Sequence, residues 1–361
     1  MPDTTNSKTL RLIAIGDLMM TIKPGEPQQR GLESLSAEIR ELFKSADIVL
    51  ANLECTSPSD KKVATEPRVF ATEEQILSLK NTGITLVNLG NNHCFDGTDE
   101  GFQKTIRLLR ELGLPYFGAG INLEEAEKPI IINKNGIRTA FVSVVDKSSG
   151  MYRFASEETS GVALLNKDRL CQQISELKKQ VDQIVISPHW GDERFRFPSP
   201  QQREEAKAFI DAGATMIFGH HPHVIQGLEY YNDCPVVYSL GNFMASDVYW
   251  ESGDVLTWNR FERTSALIIC EFDQEGVQKL EQLAIYDDGE LIQIDRSKEG
   301  KYYLERAYNS LQRKTLEKHY RREKFRVRKL LPIINKLQWH EVKRIRPQHL
   351  IKAIKLLTGK I

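Results

Sequence analysis

The sequence predicts an α/β fold followed by a basic helical end. Three observations carry that prediction. Short apolar runs alternate with stretches of helical periodicity along most of the chain. Cation-binding residue types follow the apolar runs one after another. Lysine and arginine crowd residues 311–361.

The first strand is read at 9–15 and ends at Gly16-Asp17. A carboxylate directly after a buried strand is well placed to hold a cation, although a turn or capping aspartate is the common alternative. An amphipathic helix follows at 32–44, then a strand at 47–53 that runs into Glu54. If the two strands are parallel, as a helical crossover requires, both acids share one sheet edge. A helix at 72–81 leads to a strand at 84–89 and then to Asn91-Asn92-His93, where an amide oxygen and an imidazole become available. The helix at 99–112 carries Phe102, Ile106, Leu109 and Leu112 at core spacing. Asn135-Gly136 between 130–132 and 139–145 marks a hairpin. Residues 146–162 read as a loop at a substrate mouth or simply in solvent. A helix at 167–180 and a strand at 183–187 deliver His189.

A helix at 200–212 and a strand at 214–218 lead to Gly219-His220-His221-Pro222-His223. Three of the eight histidines of the chain fall in these five residues. His221 and His223 are two apart, so an extended backbone would point both rings to one side. Imidazole is the commonest metal ligand among side chains, and a metal site is the expectation here. Strands follow at 224–230 and 236–240, and an antiparallel pair at 263–272 and 277–286.

Composition sets bounds. With 361 residues, 40% hydrophobic and 27% charged, the chain suits a globular protein with an ample core, in one large domain or two smaller ones. The formal net charge is zero. Residues 311–361 nevertheless hold sixteen Lys/Arg against three acids. The expected division is a main domain over 1–300 and a basic helical extension over 301–361. The five cysteines form no CxxC pair and no disulfide framework, which favours a reducing compartment. Residues 1–8 are polar, without the apolar core of a signal peptide, and no apolar run is long enough to span a bilayer. The expected location is cytoplasmic, with peripheral contact at the inner face of the membrane.

Taken in order, Gly16-Asp17, Asn52-Leu53-Glu54, Asn91-Asn92-His93 with Asp96-Gly97, His189-Trp190-Gly191-Asp192-Glu193, Gly219-His220-His221-Pro222-His223 and Ser239-Leu240-Gly241-Asn242-Phe243 resemble the calcineurin-like metallophosphoesterase superfamily. More closely they resemble its capsule-biosynthesis branch, the CapA or poly-γ-glutamate synthesis family. The resemblance covers roughly residues 9–245. It implies a four-layer α/β/β/α sandwich and two divalent metal ions, with Asp17, Glu54, Asn92, His189, His221 and His223 as ligands. Glu54 takes the bridging place. His93, with Asp17, is implied as catalytic, His93 assisting the leaving group. The role of His220 stays open. The first block reads Asp17-Leu18-Met19 where superfamily phosphatases carry Asp-x-His, so one histidine ligand is missing.

A set of carboxylate, amide and imidazole suits Mn, Zn or Fe better than Ca, which prefers oxygen alone. Asn91, Asp192, Glu193, Arg194 and Asn242 are the candidate substrate-binding residues, and Arg196 is a further candidate for an anionic substrate. The expected function is a metal-dependent hydrolase acting on a phosphoester or amide bond of an anionic polymer or precursor. The alternatives are a non-catalytic metal-binding subunit of a synthesis or export complex, and a peripheral membrane adaptor. Residues 350–357 place apolar side chains beside lysines, and Trp339 stands nearby, which suits contact with anionic lipid. A basic helix docked on the acidic main domain is the other reading. No nucleic-acid partner is expected, because no basic and aromatic recognition motif is present.

Overall fold

The computed structural model describes residues 9–61, 63, 66–312 and 316–330. Trp339 and the amphipathic stretch 350–357 lie outside the described residues.

Two sheets form the centre. In the first, the strands lie in the order Ile292–Ile294, Val277–Asp287, Thr264–Phe272, Leu10–Met19, Ile48–Leu53, Leu86–Asn88 and Tyr116–Phe117, and Asn242–Ala245 also pairs with Leu10–Met19. The second runs Leu228–Tyr231, Cys234–Val237, Met216–Phe218, Gln183–His189, Ile137–Val145 and Ile130–Lys134. Strands Leu10–Met19, Ile48–Leu53 and Leu86–Asn88 are parallel, which brings their C-terminal ends to one edge.

Alternation along the strands explains the layering. Leu10, Leu12, Ala14, Ile48 and Leu50 pack between the sheets with Phe141, Val185, Met216 and Phe218. Ile13, Ile15, Val49 and Ala51 point the other way, onto Ile39 and Phe43 of helix Ala37–Lys44 and Phe102 and Ile106 of helix Thr98–Glu111. On the outer face of the second sheet, Ala140, Val142, Ile184 and Ile186 meet Leu170 and Ile174 of helix Lys167–Leu177 and Phe209 of helix Pro200–Ala212. The result is the four-layer α/β/β/α sandwich that the resemblance implies. Strands apolar on both faces are what two covered sheets require.

Several boundaries differ from the sequence reading. The helix expected over 32–44 is interrupted, because Ser36 accepts a hydrogen bond from the Ile39 amide at 3.4 Å and caps Ala37–Lys44. The helix expected over 72–81 is the short Glu73–Leu77, opened by a capping box of Thr72 and Gln75. The hairpin turn at Asn135-Gly136 holds, with φ of 55° and 81°.

The helix Lys298–Leu311 opens where the sequence places the start of the basic extension. It packs on strands Val277–Asp287 and Leu228–Tyr231, and Ala307 joins the apolar layer between the sheets. Leu311 and Leu316 close the outer face of the second sheet. The next helix, Leu316–Phe325, reaches the segment after His189 through a buried acid. Glu323 accepts from Arg196 Nε and Nη2, both at 2.7 Å, and from Arg326 Nε at 2.9 Å. Among the described residues up to 330 the basic end is therefore docked on the main body, while the stretch 350–357, to which the two readings apply, lies outside them.

Candidate metal centre

The polar residues at the strand ends converge. Strand Leu10–Met19 changes neighbour midway. Leu10 to Ala14 pair antiparallel with Thr264–Phe272, whereas from Asp17 onward the strand runs parallel to Asn242–Ala245. Gly16 permits the change: a Cβ there would lie 1.9 Å from the Gly241 carbonyl oxygen. The Asp17 amide donates to that same oxygen at 2.9 Å. Asp17 therefore stands inside the strand, at an irregularity in its register, rather than just after its end. Such irregularities re-aim side chains. Glu54 follows Ile48–Leu53 and is tied back by its amide to Leu18 O at 3.1 Å. His189 is the last residue of Gln183–His189 and bridges to His220.

The histidine loop is not extended. His221 has φ of 92° and His223 of 57°, left-handed values that a side chain adopts at a cost. The two-residue alternation expected of this segment is thus absent. The rings still lie close, with centroids 5.7 Å apart, across a loop in which both left-handed residues flank Pro222.

Asp17, Glu54, His189, His221 and His223 are all buried. Three overlapping groups offer ligand atoms within 4.8 Å of one another: Glu54 with His189 and His221, Asp17 with Glu54 and His223, and Glu193 with His221 and His223. Glu54 Oε1 lies 3.4 Å from His189 Nε2 and 3.6 Å from His223 Nε2. Asp17 Oδ2 lies 3.3 Å from His223 Nδ1. Asn92 Oδ1 lies 2.7 Å from His189 Nε2. Glu54 Oε1 and His221 Nδ1 are buried without a hydrogen-bond partner among the described residues. An orphaned carboxylate oxygen facing two imidazoles is costly unless a cation completes it. The donor set therefore fits a divalent metal of the Mn, Fe or Zn kind.

Charge in the cluster is divided: burial lowers His223, but Glu54 and Asp17 more than reverse that and raise it to about 10. Burial, and then Asp17 beside it, push the Glu54 carboxyl up to about 8. Burial disfavours the Asp17 anion, but hydrogen bonds from His220 and His223 outweigh it and hold Asp17 well below the ordinary carboxylate range. Burial holds His189 and His221 well below the ordinary imidazole value, leaving them neutral and ready to ligate. His93 differs. Burial lowers it, but the Asp96 carboxylate 2.7 Å from Nδ1 more than reverses that and raises it. Asp96 Oδ2 is itself fixed by the Val69 amide at 2.7 Å.

Of the expected substrate residues, Arg194 and Glu193 stand at the rim. Arg194 pairs with Glu262 at 3.0 Å and lies 5.6 Å over the Trp258 ring, which packs 5.5 Å from His223. Three others are engaged inside the protein. Asn91 Nδ2 donates to Leu53 O at 2.8 Å, and its Oδ1 accepts from the His93 amide at 3.1 Å. Asn242 Oδ1 lies 2.9 Å from His223 Nδ1, and its Nδ2 donates to Glu262 O at 3.2 Å. Asp192 accepts from Tyr320 Oη at 2.7 Å and pairs with Arg328. The side chains of these three are thus engaged by other parts of the protein. Arg196, also expected to meet an anion, is held by Glu323.

Sequence reasoning missed Asn52, Glu262 and Trp258, and left His220 without a role. Asn52 Nδ2 donates to Asp17 Oδ1 at 2.8 Å, and His220 Nδ1 lies 2.9 Å from the same oxygen. Position offered a signal for Asn52 and His220, since each stands within two residues of a candidate ligand. Glu262 and Trp258 sit in a loop that carries no motif. The loop over 146–162 reaches the site margin, where Tyr152 Oη donates to Phe95 O at 2.8 Å and Ser148 Oγ accepts from the Gly191 amide at 3.1 Å.

The profile of the bacterial capsule synthesis protein PGA_cap family matches residues 11–247, the span that holds every candidate ligand. The chain belongs to that family. It is 34% identical over 248 residues to the capsule biosynthesis protein CapA of Bacillus anthracis, covering 66% of this chain and 60% of that protein. It is 32% identical over 283 residues to the PGA biosynthesis protein CapA of Bacillus subtilis, covering 77% and 72%. The match thus spans less than two thirds of the first of these PGA_cap relatives. A solved structure, a putative 5′-nucleotidase from Staphylococcus aureus, superposes with a TM-score of 0.49 at 14% identity over 83% of this chain and 58% of that one. Among the described residues no helix is long and apolar enough to cross a membrane.

Proposed function

We propose that this PGA_cap protein is a metal-dependent hydrolase that cuts a phosphoester or amide bond of an anionic polymer or its precursor. One observation carries the reading. Glu54 belongs to two ligand groups at once, one with Asp17 and His223, the other with His189 and His221. That sharing supports a site in which Asp17, Glu54 and His223, together with His189, His221 and Asn92, would hold two divalent ions. Divalent ions bound there would polarise a substrate oxygen and lower the pKa of a water.

The chain's own residues supply the rest. His93, raised by Asp96, holds a proton at the margin of the site and donates it to the departing oxygen or nitrogen. Arg194, braced by Glu262 and Trp258, offers its guanidinium to an anionic group of the substrate. The relatives' names, capsule and PGA biosynthesis, point to an acidic polymer as the substrate class. Purified protein, assayed on phosphodiesters and on γ-glutamyl amides beside His221→Ala, tests the reading. Hydrolysis that survives His221→Ala unchanged would sink it.

Met19, buried where superfamily phosphatases carry a histidine, favours a second reading, a metal-binding subunit without catalysis. A single bound ion with no turnover would select it. The positive charge of residues 311–361 supports contact with an anionic membrane surface as well. Sedimentation with anionic vesicles, with and without that segment, tests this contact, and equal sedimentation would remove it.

A further inference from the structure

A cavity of about 330 Å³ lies between helices Lys298–Leu311 and Leu316–Phe325 and the segment after His189. Four arginines line it: Arg196, Arg306, Arg322 and Arg326. Among the described residues Glu323 is the single acid that lines it, and Phe197, Phe261 and Tyr303 are among its apolar and aromatic walls. Glu323 already occupies the fork made by Arg196 and Arg326, so one carboxylate is bound there within the chain. Arg306 and Arg322 are different. Among the described residues neither forms an ion pair, and Arg306 has only the Tyr302 ring, 5.9 Å from its guanidinium carbon.

The cavity adjoins the metal cluster. Three segments serve both places. Arg194 stands at the cluster rim and Arg196 lines the cavity. His223 is a ligand candidate and Ile225 lines the cavity. Trp258 packs on His223 and Phe261 lines the cavity. Arg326 Nη2 also donates to Arg194 O at 3.3 Å, across the wall between them.

We propose that this cavity is a subsite for an acidic polymer, in which Arg306 and Arg322 take the carboxylates of the segment next to the bond being cut. The proposal rests on the reading of the protein as acting on an anionic polymer. Guanidinium groups match carboxylates through paired hydrogen bonds. The aromatic walls receive the methylene stems between successive carboxylates.

The test is binding, read by calorimetry on the full chain with γ-linked oligoglutamates of increasing length, beside the double variant Arg306→Gln, Arg322→Gln. Neither arginine forms an ion pair among the described residues, so the variant is expected to retain the fold, and its metal content is measured alongside. The expected result is affinity that rises with length in the wild type, and a loss of about tenfold or more in the variant for long oligomers only. Equal affinity in both proteins, or no binding by the wild type, would overturn the subsite. Phosphatidylglycerol vesicles form a second arm. Vesicle binding that depends on the two arginines while oligoglutamate binding does not would also overturn it. Calorimetry needs no turnover, so a failed hydrolysis assay leaves this result standing. A failed binding test with intact metal content removes the subsite alone.

Discussion

His93 Nδ1 lies 2.7 Å from Asp96 Oδ2, and the same carboxylate oxygen is pinned by the Val69 amide. The pair fixes which ring nitrogen of His93 faces the protein and leaves the other for the site. His93→Gln should lower kcat by about 10²–10⁴-fold while leaving metal content unchanged. Asp96→Asn should cost less, since it removes the orienting charge and not the proton donor. Steady-state kinetics with metal analysis checks both, and an unchanged kcat in His93→Gln would remove the general-acid role.

His220 is a second support. It and Asn52 both hold Asp17 Oδ1, at 2.9 and 2.8 Å, so the oxygen's direction is set before any ion arrives. Groups that orient a ligand typically matter by roughly 10–100-fold in metal affinity. His220→Asn should weaken metal binding by that order with little change in secondary structure. Competition titration with a chelating dye measures it. Wild-type affinity would show that Asp17 needs no such support.

Gly16 is required by contact. Its hypothetical Cβ would meet a backbone carbonyl at 1.9 Å, and a backbone atom cannot rotate away. Gly16→Ala should destabilise by about 1–3 kcal/mol and displace the adjacent Asp17. A lower Tm together with weaker metal binding is the expected outcome. A normal Tm would mean that the crossing of Leu10–Met19 and Asn242–Ala245 is more pliable than its geometry implies.

Glu323 gives the pH prediction. Burial raises the carboxyl, but Arg196 and Arg326 outweigh it and bring it from 4.5 down to about 2. A depressed carboxylate stabilises the fold above its ordinary value, and that contribution is lost as pH falls toward the depressed one. Docking of Leu316–Phe325 should therefore weaken between pH 4.5 and about 2. In Glu323→Gln that window should be flat and the helix looser at neutral pH. Hydrogen exchange of the helix amides as a function of pH reads both.

Much of this was legible in the sequence. Most ligand candidates stand at or just after the ends of apolar strands, and parallel pairing brings those ends to one edge of the sheet. What stayed hidden has a common physical cause. The left-handed backbone at His221 and His223 is set by packing of the loop, because neither residue type demands a positive φ. The support roles of Asn91, Asn242 and Asp192 depend on which atoms are near in space. Glu323 lies far along the chain from Arg196, as one of three acids in a segment read for its excess of positive charge. Pairings of that kind follow from the folded path and leave no local periodicity to read.

The central claim is that Asp17, Glu54, Asn92, His189, His221 and His223 hold metal. Elemental mass spectrometry of protein purified without chelator tests it most directly. The account predicts two equivalents of Mn, Fe or Zn per chain, with clear loss in His221→Ala. Protein that is folded yet carries no divalent metal, and takes up none when Mn, Fe or Zn is supplied, would contradict it.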